Sequence, residues 1–100
     1  MFTLATVLTE KLSGMPWNEF IVQRILNPLG MTRTYPLAAD YRGKVANQAE
    51  PYRWKDGGLE HMAYNDISHL GSCGGISSTV HDLDLWSRLN LGRGQFEGKR

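Results

Sequence analysis

The sequence predicts a mainly helical α+β arrangement: two N-terminal helices, a loop bearing a short β-hairpin, and a C-terminal helix. Three observations carry this. Apolar residues recur at helical spacing near both ends, and Asp56-Gly57 lies between two short alternating runs. Serine or threonine caps and glycine stops mark where the elements begin and end.

The first helix is expected from about Met1 to Leu12. Leu4, Leu8 and Leu12 recur at i+4, with Phe2, Ala5 and Val7 widening the stripe, and Ser13-Gly14 stops it. Pro16 suits the first turn of a second helix, where its missing N–H costs nothing. Trp17, Phe20, Ile21 and Ile25 line one face of that helix, and Asn27-Pro28 is expected to end it because the residue before proline leaves the α region. Thr32 to Gly43 reads as loop. In QAEPYRWKDGGLEHMAY, Tyr52 and Trp54 alternate with Arg53 and Lys55. Asp56-Gly57 is a tight-turn signal there, and Leu59 and Met62 supply the return strand. Asn65 to Gly75 reads as loop again. The last helix has Thr79 as N-cap, Asp82 closing a variant capping box, and Val80, Leu83, Trp86 and Leu89 or Asn90 at helical spacing. Gly92 or Gly94 ends it.

One hundred residues allow one domain at most. Charges are spread along the chain to a formal net of +1, so no basic stripe exists to grip nucleic acid. No apolar run approaches the ~20 residues of a membrane span. The single cysteine excludes an internal disulfide, which leaves compartment undecided. The first helix has no capping residue before it, and no closing element follows Gly98-Lys99-Arg100. Three helices and a lone hairpin leave a sheet-facing side uncovered, so a piece of a larger fold is expected.

Chemistry is first sought at Gly71-Ser72-Cys73-Gly74-Gly75, which has the G-x-C-x-G spacing of a nucleophile elbow. The preceding AYNDISHLGS is too polar for a buried strand, and the next helix cap waits until Thr79. Cys73 is therefore read as a small packed residue at a tight glycine turn. His61, His69, Cys73 and His81 fit no zinc spacing, and the three histidines read more simply as solvated or backbone-capping. A phosphate loop lacks its lysine, so no motif calls for a cofactor or metal. Trp17, Trp54 and Trp86 are read as core or interface residues.

Two runs resemble a known family. LATVLTEKLSGMPWNEFIVQRILNPLGMTRT is similar to the helix pair following the Tyr-x-Asn motif of serine β-lactamase-related proteins, through Ser13, Gly14, Trp17, Glu19, Phe20 and Pro28 to Thr32. GGISSTVHDLDLWSRLNLGRGQFEGKR resembles that family's glycine turn, Ser-Thr cap, Asp-Leu helix and Phe-x-Gly-Lys exit. The matching residues are Gly74, Gly75, Ser78, Thr79, Asp82, Leu83, Trp86, Gly94, Phe96, Gly98 and Lys99. The family includes class C β-lactamases, D-alanyl-D-alanine peptidases and esterases.

The resemblance implies that residues 1–100 belong to the helical part of a β-lactamase/transpeptidase-like fold, after Tyr-x-Asn and before the Lys/His-x-Gly strand. It also implies a parent that transfers acyl groups from small acyl, peptide or β-lactam substrates through a serine ester. No serine here has a lysine three residues on, and Tyr64 is followed directly by Asn65, so the isolated chain is expected to be non-catalytic. His69-Leu70-Gly71 imitates the third motif on the wrong side of the last helix. Ser72, Cys73 and Gly74 are expected to border the acyl site of the parent. The remainder of the parent fold, or a homo-oligomer, is expected to cover the exposed apolar faces. The rival reading is a small non-catalytic interaction protein using its Trp and Leu faces.

Overall fold

The computed structural model describes residues 1–65 and 67–99, and the side chains of residues 68–70 lie outside the description. Helix α1 spans Phe2–Ser13, α2 Trp17–Ile21, α3 Asn27–Leu29, α4 Ala38–Tyr41 and α5 Val80–Leu91. Strands β1 (Tyr52–Lys55) and β2 (Gly58–His61) form one antiparallel hairpin. The molecule is therefore α+β and mainly helical. It is also elongated: its radius of gyration is 15.9 Å, against about 13 Å for a compact chain of this length.

α1 ends where expected. Gly14 takes a left-handed conformation at φ 72°, and its N–H donates to the Glu10 carbonyl at 2.9 Å. Glu10 also acts across the corner, since its carboxylate accepts the backbone N–H of Trp17 at 3.0 Å and so caps the start of α2.

The second helix does not stop at Asn27, as the following proline suggests. Residues Val22–Leu26 form a π turn, with the Asn27 N–H reaching the Val22 carbonyl, and Asn27 itself stays helical at φ −62°. The widened turn makes room for the Pro28 ring, which in an α-helix would press on the carbonyl of Arg24. The helix runs on through α3 to Gly30, at φ 73°. There the Met31 N–H bonds the Leu26 carbonyl and the Gly30 N–H bonds the Asn27 carbonyl, which is a Schellman ending. Its apolar contact becomes the core: Leu26, Leu29 and Met31 are buried together, with Ile21, Val22, Ile25, Leu85, Leu89 and Phe96 packed on them.

Two loops expected from the sequence carry structure. Thr32–Gly43 contains α4, whose Ala38 and Tyr41 are buried, and Tyr35 forms an isolated antiparallel bridge with Ser77. Asn65–Gly75 contains a 3-10 helix over Ser68–Cys73. The hairpin turn is as expected, with Asp56 at φ 49° and Gly57 at φ 82°, the paired positive angles of a two-residue type I′ loop.

The apolar stripes are poorly covered. No residue of α1 is buried, and Leu12 remains 86% exposed. Every residue of the hairpin is exposed; Trp54 is 72% exposed and faces Leu59 across the ribbon. Trp86 is exposed too, so of the three tryptophans only Trp17 is a core residue. Among the described residues, no helix is long and apolar enough to cross a membrane.

Candidate functional site

The segment Gly71–Gly75 is built from two glycine contacts. A Cβ on Gly71 would stand 2.9 Å from the buried ring of Trp17, and one on Gly75 would stand 2.8 Å from the Gly71 Cα. The Gly75 N–H closes the turn on the Gly71 carbonyl at 2.9 Å. Glycine is thus demanded here by close approach. Among the described residues no strand leads into Cys73, which ends a 3-10 helix, and no helix follows it until Val80, so this turn does not have the geometry of a nucleophile elbow.

Ser72 and Cys73 face α1. The Ser72 hydroxyl accepts from Thr6 at 2.5 Å and donates to the Phe2 carbonyl at 3.1 Å, while the Cys73 Sγ lies 3.2 Å from the Thr3 hydroxyl. Cys73 is exposed, not packed as the sequence suggests, because the glycines themselves make the tight contact. The Thr3 hydroxyl holds its thiol below the ordinary value, and Ser72 and the N-terminal charge act in the same direction against some desolvation. Gly74 completes the turn at φ 135°, an angle that side-chain-bearing residues rarely adopt.

Beyond the turn the chain is clamped. Thr79 caps α5 as expected, accepting the Asp82 N–H at 3.3 Å. The reciprocal half of the capping box does not form, because the Asp82 carboxylate is used elsewhere. Its Oδ2 accepts the Arg33 backbone N–H at 2.8 Å and the Thr34 hydroxyl at 2.7 Å. Thr34 Oγ1 also lies 2.7 Å from Ser78 Oγ, and Tyr35 and Ser77 exchange two backbone hydrogen bonds. Asp82 is 2% exposed. Burial pushes its carboxyl up, but the bonds from Thr34 and Arg33, helped by His81 at 3.4 Å, prevail and hold it below the ordinary carboxylate value. Sequence reasoning assigned Asp82 to the cap and missed this latch. The available signal was an aspartate among apolar neighbours on the face of α5 that also carries Leu85 and Leu89.

Two clefts flank the latch. One of about 330 Å³ is lined by Arg33, Tyr35, Tyr41, Tyr64 and Ser77–Thr79. The other, of about 250 Å³, is almost wholly apolar and lies between the second helix and α5, lined by Ile21, Ile25, Met31, Ile76, Leu83 and Trp86. Ser72, Cys73 and Gly74 line neither. The histidines stand apart. His61 lies on β2 and pairs with Glu50 at 3.2 Å, His81 lies in the first turn of α5, and the His69 side chain is outside the description. Among the described residues, no three histidine, cysteine or carboxylate side chains converge as a metal site.

Comparison with known proteins matches the whole chain, residues 1–100, to the family described as beta-lactamase. An unguisins hydrolase of Aspergillus campestris (strain IBT 28561) is 27% identical over 95 residues, covering 93% of this chain and 18% of that protein. An octameric penicillin-binding protein homologue from Pyrococcus abyssi shares the fold with a TM-score of 0.80 and 30% identity, over 94% of this chain and 21% of that one. The chain thus spans about a fifth of the length of these relatives.

Proposed function

From the premise that this chain belongs to the β-lactamase family, we propose that it is supporting framework of a serine acyl-transfer enzyme. It corresponds to the stretch between the Tyr-x-Asn motif and the Lys/His-x-Gly strand. The intact enzyme forms and hydrolyses a serine ester from an amide, ester or β-lactam, and its reactive serine and lysine lie outside these residues. Ser72, Cys73 and Gly74 border the acyl pocket without taking part in bond-making. The rest of the enzyme covers the open face of α1 and the apolar cleft between the second helix and α5.

The observation that carries this reading is the meeting of two distant runs. The Pro28–Thr34 segment and the Ser78–Asp82 segment lie nearly fifty positions apart, yet join through one buried carboxylate in a chain with no Ser-x-x-Lys pair. The hydrolase name of one relative favours the same chemistry. The test is turnover of a chromogenic β-lactam and of a p-nitrophenyl ester by the purified 100-residue chain, with mass spectrometry for a covalent serine adduct. No turnover and no adduct are expected. Hydrolysis that a serine acylating agent abolishes would overturn the proposal.

A second reading is favoured by the exposed Tyr52, Trp54 and Leu59 of the hairpin and by the octameric state of the Pyrococcus homologue. In it the chain is a self-associating, non-catalytic protein. A discrete, stable oligomer of the isolated chain, measured by light scattering, would favour it over the framework reading.

A further inference from the structure

We propose that Asp82 is the positioning residue of the acyl-site rim: by binding residues 33 and 34, its carboxylate fixes where the Gly71–Gly75 turn stands. The proposal rests on the reading of that turn as the rim. Its physical content is independent of catalysis.

Besides the Ser72 bonds to α1, the turn is held at two ends. At its start, Gly71 lies so close to the Trp17 ring that an added Cβ would stand 2.9 Å from it. At its end, Ser77, two residues beyond Gly75, is bridged to Tyr35 by bonds of 2.8 and 2.9 Å. Two backbone bonds between otherwise unpaired segments make a weak bridge, because no ladder extends it on either side. Its registration must come from a neighbour, and the neighbour is Asp82. One carboxylate oxygen draws in both the Arg33 N–H and the Thr34 hydroxyl, and Thr34 in turn meets Ser78. Residues 33–35 and 77–79 are thereby set side by side from a point on α5, whose first turn Thr79 fixes.

A carboxylate suits this task because it only accepts, and both partners here donate. An asparagine with its Oδ1 in the place of Oδ2 would accept from both only as a neutral group, losing the charge assistance, and its NH₂ would stand where Oδ1 now faces His81. Asp82 and Thr34 are buried, so bonds weakened by the loss of charge are not replaced by bonds to water.

Amide hydrogen exchange by NMR on the full chain tests this, using Asp82→Asn and, separately, the near-isosteric Thr34→Val. Three amides report on the clamp: Tyr35, Ser77 and Gly75, whose N–H bonds Gly71. The Phe20 amide, bonded to the Pro16 carbonyl, reports on a helix outside the clamp. Protection at the three clamp amides is expected to fall at least about fivefold relative to Phe20 in each variant, the factor for one hydrogen bond of modest worth. The double variant is expected to fall by less than the product of the two. Equal loss at Phe20 and the clamp would mean global destabilisation and overturn the proposal, as would unchanged ratios. If the chain proved unrelated to acyl transfer, the turnover assay would reveal it while the exchange ratios still decided the role of Asp82.

Discussion

Adding one methyl group to the glycine turn gives a sharp test of why it is rich in glycine. In Gly75→Ala the new carbon would stand 2.8 Å from the Gly71 Cα, 3.1 Å from its carbonyl oxygen and 3.4 Å from its carbonyl carbon. All three are backbone atoms, so no side chain can rotate away. Carbon–carbon contacts are optimal near ~3.5–4.0 Å, so the backbone must yield by roughly 0.7 Å or more. Gly71 is itself packed closely, since a Cβ added there would stand 2.9 Å from the Trp17 ring. Overpacking of this kind costs about 1–3 kcal/mol, which for a chain of this size lowers the melting temperature by about 4–8 °C per kcal/mol. The control is Gly58→Ala, where nothing lies within 4 Å and φ is not positive. That change is expected to be neutral or slightly stabilising, by up to ~1 kcal/mol, because it restricts only the unfolded chain. Thermal unfolding followed by circular dichroism measures both. If Gly75→Ala melts no lower than Gly58→Ala, close packing is not what fixes glycine here.

Three further outcomes follow from the same geometry. Leu29→Ala empties a buried position in the main core and is expected to cost about 2–5 kcal/mol in urea unfolding, a large share of the stability of any small domain. Thr79→Ala removes the α5 cap and is expected to cost ~1 kcal/mol in the same assay, with loss of helical signal at 222 nm. Asp82 makes stability depend on acid. Its folded pKa is below the ordinary 3.8, so below that value the unfolded chain binds the proton more readily and stability rises with pH. The Asp82 contribution is therefore complete above the ordinary value and is lost as pH falls through the depressed folded value. Urea titrations between pH 5 and about 2 should show this slope in the wild type and a shallower one in Asp82→Asn.

How far the residues announced the structure varied with the kind of signal. Local stereochemistry was legible: Gly14 in its left-handed stop, Asp56-Gly57 at the hairpin and Thr79 at the cap of α5 all sit where their intrinsic preferences put them. The Asn27-Pro28 stop failed because a proline inside a helix has two outcomes, termination or a wider turn, and tertiary packing of Leu26, Leu29 and Met31 selects the second. Helix α4 is one turn long and shows no period. Periodicity correctly marked Leu4, Leu8 and Leu12 as one apolar face, but a pattern cannot say what lies against it, and the described residues leave that face largely exposed. The site was harder to read still. Motif spacing pointed to Cys73, whereas the residues that organise this region, Trp17, Thr34 and Asp82, are brought to it only by the fold.

A turn can be held in shape in two ways: with bulky side chains that wedge it, or, as at Gly71 and Gly75, with backbone packed directly on backbone and on a single flat ring. That choice makes the turn dependent on external registration, because glycine contributes no side-chain contacts and costs the most conformational entropy to order. Asp82 and the Trp17 ring, contributed by helices more than sixty positions apart, supply that registration from opposite ends. It follows that changes at Trp17 and at Asp82 should be coupled through a turn that touches only one of them. A double-mutant cycle of Trp17→Phe with Asp82→Asn, scored by urea unfolding, should therefore depart from additivity by about 0.5 kcal/mol or more. Strict additivity would mean that the two ends are held independently and that the turn between them is slack.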